Sequence, residues 1–242
     1  AIDQLIAGGV RGLQPYQPGK PVEALERELG ITDIIKLASN ENPHGSSPAV
    51  SAAITGFLSG LSRYPDGSGH SLKQVLSKRL GVRATQITLG NGSNDVLDLV
   101  TRAFVDPGQQ VVVAEHAFAV YALSAKSVNA ELVVVPARDF GHDLEAMAAS
   151  VTGSTRIVFV ANPNNPTGTY QGDDAVQNFL DVLPSNVLAV IDEAYFEYVK
   201  AEAYPDGIDL LSRFPNLIVV RTFSKAYGLA GLRVGYAIAS DQ

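Results

Sequence analysis

The chain has 242 residues, 46% hydrophobic and 18% charged, a composition that favours a folded globular protein over a disordered one. Its net charge of −7 argues against a nucleic-acid binder, and the absence of cysteine excludes disulfides and thiolate metal sites. The four histidines (His44, His70, His116, His142) lack ligand spacing and no apolar run reaches membrane length, so neither a metal nor a membrane is expected. The N-terminus carries no signal pattern, and a soluble cytoplasmic protein is the default expectation. Opening on Ala1 and stopping at Gln242 just past an apolar run, the chain reads as cut at both ends.

Residues 1–45 read as an irregular arm rich in glycine and proline, with one amphipathic helix over Val22 to Leu29 and a turn at Ser39-Asn-Glu-Asn-Pro43. From residue 46 to 242 the pattern is that of one larger domain. A short helix is expected over Ala49 to Leu61, followed by a repeated alternation of apolar run, polar loop and helix. The runs are Ile87 to Leu89, Val111 to Ala114, Leu132 to Val135, Ile157 to Ala161, Val187 to Ile191, Leu217 to Val220 and Val234 to Ala239. Helices are expected after Gly90-Asn-Gly-Ser-Asn-Asp95, through Phe104, and over Phe118 to Val128. Apolar runs without alternation, separated by helices, predict an α/β fold with a mostly parallel seven-stranded sheet covered on both faces. In such sheets ligands bind beyond the carboxyl ends of the strands. Four polar clusters fall at such ends, at 90–95, 162–168, 192–195 and 222–225, and their convergence predicts one site.

Thr222-Phe-Ser-Lys225 places a lysine just past a buried strand, and Arg233 follows in a glycine-punctuated loop. Loss of solvent lowers a lysine's pKa and frees its amine to attack carbonyls, while Thr222, Ser224 and Arg233 are donors suited to a phosphate. A Schiff-base lysine beside a phosphate site suggests pyridoxal phosphate; a solvated surface lysine is the plain alternative. Gly90-Asn-Gly-Ser-Asn-Asp95 enters a helix, so free N–H groups with Ser93 and Asn94 suit an anion, although a simple turn and helix cap read the same way. Asp192 follows an uncharged run and needs a cationic partner at the rim of the sheet, which a protonated pyridine nitrogen would supply; a capping or salt-bridged aspartate is equally consistent. Tyr195 lies one turn on if the chain coils there, either reaching the ring's phenolic oxygen or half-buried in the core. In Asn162-Pro-Asn-Asn-Pro-Thr-Gly168 two prolines hold the asparagines rigidly, and Asn165 is placed to donate to the same oxygen. Phe118 is either a ring that stacks on a flat cofactor or an ordinary core aromatic.

Taken with Arg63-Tyr-Pro-Asp66, these segments occur in an order that resembles the fold-type I pyridoxal-phosphate aminotransferases, the aspartate-aminotransferase-like fold, and among them the histidinol-phosphate branch. The resemblance implies that Lys225 binds the cofactor covalently and shuttles a proton, that Asp192 pairs with the pyridine nitrogen, and that Asn165 and Tyr195 bind the phenolic oxygen. It implies a phosphate cup of Ser93, Asn94, Thr222, Ser224 and Arg233, with Phe118 stacked on the ring. Tyr64 would reach the cofactor phosphate of a neighbouring subunit, which implies a homodimer, and Tyr16 with Asn165 would lie on the substrate side. The implied reaction exchanges an amino group between L-histidinol phosphate and 2-oxoglutarate, in histidine biosynthesis. An aromatic or broad-range aminotransferase, a decarboxylase of the same fold and a cofactor-sensing regulatory module are the alternatives. Two departures stand out. His116-Ala-Phe118 replaces a common Pro-Thr-Tyr, losing a hydroxyl. Family members also continue for roughly another hundred residues, into a small domain with substrate-gripping arginines.

Overall fold

A computed structural model describes residues 2–16 and 19–241. Seven strands form one sheet: β1 (Ile87–Gly90), β2 (Gln110–Ala114), β3 (Glu131–Val135), β4 (Thr155–Ala161), β5 (Leu188–Asp192), β6 (Leu217–Thr222) and β7 (Gly235–Ile238). Their spatial order is β1-β7-β6-β5-β4-β2-β3. Strands β2 to β6 are parallel, whereas β7 runs antiparallel to both β6 and β1. The reversal has a simple cause. Residues 223–234 form a loop with one 3-10 turn (Ala230–Leu232) and no crossover helix, so the chain can only fold back alongside β6.

The helices are α1 (Val22–Leu29), α2 (Pro48–Phe57), α3 (His70–Leu80), α4 (Ser93–Phe104), α5 (Ala119–Ser127), α6 (Leu144–Ala149), α7 (Asp173–Val182) and α8 (Gly207–Leu210). The helix expected over 49–61 ends earlier, passing into a 3-10 turn at Leu58–Gly60. Its start is set by Pro48 at the first helical position and by the Ser47 side chain, which accepts the Ala49 N–H at 3.4 Å.

Alternate residues of each central strand feed two separate cores. Val111, Val113, Ile157, Phe159, Val190, Ile218 and Val220 pack with α4 and α5. Their neighbours Val112, Val158, Val160, Ala189, Ile191, Leu217 and Val219 pack with α3, α6, α7 and α8 on the other face. This is why the strands read as unbroken apolar runs. Each fully buried Val, Ile or Phe here contributes about 1.5–3 kcal/mol, so the two cores make the strand ends a rigid frame. Helix α4 shows how sequence positions one: Val96, Leu97, Val100 and Thr101 are buried at helical spacing, while Asp98 and Arg102 pair on the wet side at 2.6 Å.

His142, just ahead of α6, is buried, and its Nε2 accepts the Ala161 N–H at 3.0 Å at the end of β4. Burial holds its pKa down at about 4, so it is neutral in the fold. As the pH falls, the unfolded chain binds a proton near 6.5 that the folded chain refuses until about 4. Acid denaturation of the wild type should therefore lose on the order of 3 kcal/mol between those two values through this group. A His142→Asn protein, compared by urea titration at pH 7 and pH 4.5, should show a smaller drop.

Candidate functional site

A pocket of about 630 Å³ opens at the carboxyl edge of β4, β5 and β6 and is roofed by the arm. Eleven of the twelve site residues expected from sequence line it: Tyr16, Ser93, Asn94, Phe118, Asn165, Asp192, Tyr195, Thr222, Ser224, Lys225 and Arg233. The twelfth, Tyr64, is fully exposed and lies outside it.

The first wall is an anion cup. β1 runs into α4 through Gly92, whose φ of +83° is open to glycine, and a Cβ there would collide with the Arg233 guanidinium. No side chain caps α4, so the N–H groups of its first turn point outward with the positive end of the helix dipole. From the other side, Arg233 Nη1 donates to Ser224 Oγ at 3.2 Å and to the Ala230 carbonyl at 3.0 Å. Ser224 N donates to Thr222 Oγ1 at 3.1 Å, which bends the chain as it leaves β6 and turns both hydroxyls toward the cup. Arg233 itself holds a left-handed φ of 52°, a backbone position that few non-glycine residues adopt, and its guanidinium lines the pocket.

The second wall is Asp192, the last residue of β5, only 5% exposed. The cationic partner expected for it is not a neighbouring side chain. Its carboxylate accepts instead from Tyr121 Oη at 2.8 Å and from the Ala194 N–H at 3.1 Å. Burial pushes its pKa up to about 6, against the pull of those two donors and of the Lys225 charge.

Between these walls stands Lys225. Its Nζ makes only long contacts, 3.5 Å to the Ser39 carbonyl and 3.4 Å to that of Asn40, and sits 5.6 Å from the Tyr195 ring centre. Burial lowers its pKa, with Glu41 and Asp192 opposing and Arg233 assisting. Tyr195 accepts the Asn40 amide at 2.9 Å, and burial raises its own pKa. The chain does not coil between Asp192 and Tyr195; it turns there, ahead of a 3-10 turn at Phe196–Tyr198.

The 162–168 loop sorts its asparagines by use. Asn162 exchanges two hydrogen bonds with the Gln171 backbone, at 3.1 and 2.8 Å, and Asn164 donates to the His116 carbonyl at 3.0 Å and to Thr167 at 2.7 Å. Asn165 makes no side-chain hydrogen bond among the described residues and is left lining the pocket. Phe118 meets Tyr16 of the arm edge-on at 6.0 Å. The arm is docked by the Asn42 amide on the Ala226 carbonyl at 2.9 Å, and by Gly228, where a Cβ would strike the Gly45 backbone.

Sequence reasoning missed Tyr121, Asn40, Lys36 and Glu41, all of which line the pocket. Lys36 and Glu41 pair at 3.0 Å. Tyr121 lies three residues after Phe118 and thus on the same face of the expected helix, and Asn40 and Glu41 fall in the Ser39–Pro43 segment, which reads as a turn.

Behind the pocket lies a buried ion cluster. Arg221 donates to Glu193 Oε2 through Nε at 2.9 Å and Nη2 at 2.7 Å, and Nη2 also reaches Asp206 at 2.7 Å. Its guanidinium lies 3.7 Å over the Phe196 ring centre.

A mostly parallel sheet thus brings a lysine, a buried carboxylate and a cluster of anion-suited donors to one pocket at its carboxyl edge. Residues 32–242 match the family described as aminotransferase class I and II, and the chain belongs to that family. It is 60% identical over 234 residues to histidinol-phosphate aminotransferase 2 of Pseudomonas aeruginosa, covering 96% of this chain and 63% of that protein. It is 55% identical over 244 residues to the protein of the same name from Methylococcus capsulatus, covering 98% and 66%. The fold also matches the crystal structure of histidinol-phosphate aminotransferase from Sinorhizobium meliloti in complex with pyridoxal-5'-phosphate. That match has a TM-score of 0.87 at 35% identity, over 96% of this chain and 62% of the other. The chain thus spans a little under two thirds of the length of these relatives.

Proposed function

We propose that this chain forms the pyridoxal-phosphate-binding part of an aminotransferase acting between L-histidinol phosphate and 2-oxoglutarate, yielding imidazole acetol phosphate and glutamate. Residues 46–242 form the cofactor-binding domain, and residues 1–45 the arm that roofs it. The observation that carries the reading is the meeting of Lys225, Asp192 and the Arg233 cup in one pocket, a fit for a flat cofactor with an aldehyde, a basic ring nitrogen and a phosphate. The pocket volume, about 630 Å³, is that of an ordinary small-molecule site. Identity of 55–60% with relatives named for histidinol phosphate favours that donor over an aromatic amino acid.

Bound pyridoxal phosphate supplies an aldehyde for amines and a ring that withdraws electrons from the adjoining carbon. The chain's residues do the rest. Ser93, Asn94, Thr222, Ser224 and Arg233 fix the phosphate, and Phe118 covers the ring face. Asp192, ionised above about pH 6, holds the ring nitrogen protonated. Asn165 and Tyr195 donate to the phenolic oxygen. Lys225, whose amine burial shifts toward the uncharged form, would hold the aldehyde and is placed to accept a proton from the substrate Cα. The arm excludes water from this edge, with Tyr16 on the substrate side.

The protein is also proposed to work as a cytoplasmic homodimer. Helix α2 buries none of its residues, leaving Ile54 and Phe57 exposed together with the Leu58, Leu61 and Tyr64 that follow, an apolar stripe suited to a second copy. Tyr64, exposed at the end of that stripe, would serve the partner's pocket. No helix among the described residues is long and apolar enough to cross a membrane.

A donor screen on the full-length protein, with 2-oxoglutarate as acceptor and glutamate as readout, tests the substrate. The kcat/KM for L-histidinol phosphate should exceed that for phenylalanine by at least about 100-fold. Equal values would overturn the narrow assignment in favour of a broad-range enzyme.

A further inference from the structure

Asp192 and its partner Tyr121 come from distant parts of the chain, 71 residues apart, and both are out of water. The Tyr121 hydroxyl has one hydrogen-bond partner among the described residues, Asp192 Oδ2 at 2.8 Å. Its ring is held flat against Phe159, with centres 4.8 Å apart and planes 3° from parallel. It also stands perpendicular to Phe118, at 5.8 Å and 87°. Tyr121 sits on the first turn of α5, so helix packing fixes where its hydroxyl points. The other carboxylate oxygen takes the Ala194 N–H, which can only donate. Both contacts therefore suit a carboxylate that accepts, and burial alone works against that form.

We propose that Tyr121 is a positioning residue of this pocket: its hydroxyl holds the Asp192 carboxylate ionised and oriented for a cationic ring nitrogen, while its ring sets Phe118 for stacking. The ring-nitrogen half of this inference rests on the reading of the pocket as a pyridoxal-phosphate site. The groups facing Asp192 are Tyr121 from α5, Tyr195 from the following turn, Lys225 from the loop after β6, and more distantly Tyr204 ahead of α8. Of the donors that oppose the burial of Asp192, Tyr121 is the strongest. A side chain of the same shape without the hydroxyl would leave Ala194 as the sole direct donor.

The test is made first on the protein free of cofactor, by infrared titration of the carboxyl band assigned to Asp192 through subtraction of the Asp192→Asn spectrum. The wild-type midpoint should lie near 6. Tyr121→Phe should raise it by about one to two pH units, the loss of one hydrogen bond to a buried charge. Site-specific 3-fluorotyrosine at position 121, a stronger donor of nearly the same shape, should lower it. Titration with pyridoxal phosphate then reads the consequence. Tyr121→Phe should bind up to about tenfold more weakly at pH 7 and within about twofold of wild type at pH 9, where Asp192 is ionised in both. A folded Tyr121→Phe protein with an unmoved midpoint overturns the proposal, because a purely structural role would lower stability without shifting Asp192. If Tyr121→Phe fails to fold, the fluorotyrosine protein decides, and an unmoved midpoint there also overturns it. A wild type that does not bind pyridoxal phosphate overturns the reading of the pocket and the ring-nitrogen half, while the infrared midpoints still decide the hold of Tyr121 on Asp192.

Discussion

Lys225→Ala is expected to fold as the wild type does and to show no visible absorption band of a lysine-bound cofactor when pyridoxal phosphate is added. Borohydride treatment should leave no label on the chain at position 225. The two halves of this result follow from the same geometry. Lys225 makes no short hydrogen bond, only contacts of 3.4 and 3.5 Å to arm carbonyls, so little holding the fold together is lost. Removing a partly desolvated charge should leave stability within about 1 kcal/mol of the parent or slightly raise it. Chemistry, by contrast, loses its only lysine in the pocket besides Lys36, and Lys36 is engaged by Glu41 at 3.0 Å. With both nucleophile and base gone, turnover in the full-length protein should fall by at least about 10⁴-fold. Absorbance titration, thermal melting and the coupled glutamate assay measure the three quantities. A visible band in Lys225→Ala equal to that of the wild type, with borohydride still fixing the cofactor to the chain, would exclude Lys225 as the anchor.

The architecture was legible because each central strand is buried on both faces, and burial on both faces leaves an unmistakable unbroken run such as Ile157 to Ala161. Direction was not legible. Val234 to Ala239 reads as one more buried strand, and only the lack of a helix between it and β6 makes it antiparallel. Site residues at strand ends were found because polar clusters there stand out against apolar runs, and eleven of the twelve came together in one pocket. Tyr121 and Asn40 escaped because each does its work through a partner set by three-dimensional packing, 71 and 155 residues away. Tyr121 looks like core, and is core apart from its oxygen. Asn40 reads as turn chemistry, and only the docking of the arm carries its amide to Tyr195. Tyr64 is fully exposed and outside the pocket of its own chain, and the role expected for it belongs to the proposed homodimer.

Disrupting the Arg221–Glu193 pair should have the largest effect on stability, and it should reach the pocket from behind. Glu193 follows Asp192, Arg221 precedes Thr222, and β5 and β6 are paired there in register, with Asp192 opposite Val220. The ion pair thus ties together the two strand ends that carry the buried carboxylate and one side of the anion cup. Arg221 is 3% exposed and Glu193 1%, and the Gly207 N–H closes the remaining Glu193 oxygen at 2.9 Å. Replacing Arg221 with methionine keeps much of the volume but leaves Glu193 buried without its cation, which costs about 3–5 kcal/mol. Adding Glu193→Gln should recover a substantial part of that loss, because the neutral amide needs no counter-charge and its oxygen can still accept from Gly207. Burial already pushes the Glu193 carboxyl up to about 7 against the pull of Arg221, and removing that pull raises it further. A carboxyl whose pKa is raised by folding loses stability as the pH climbs from its unfolded value toward its folded one. The Arg221→Met defect should therefore be larger at pH 8 than at pH 6, while the double variant shows no such slope. Urea denaturation at the two pH values measures both. Pyridoxal phosphate titration of the folded variants should show weaker binding in the single variant than in the double. A single variant with wild-type stability at pH 8 would mean that the strand ends are held by their apolar cores alone.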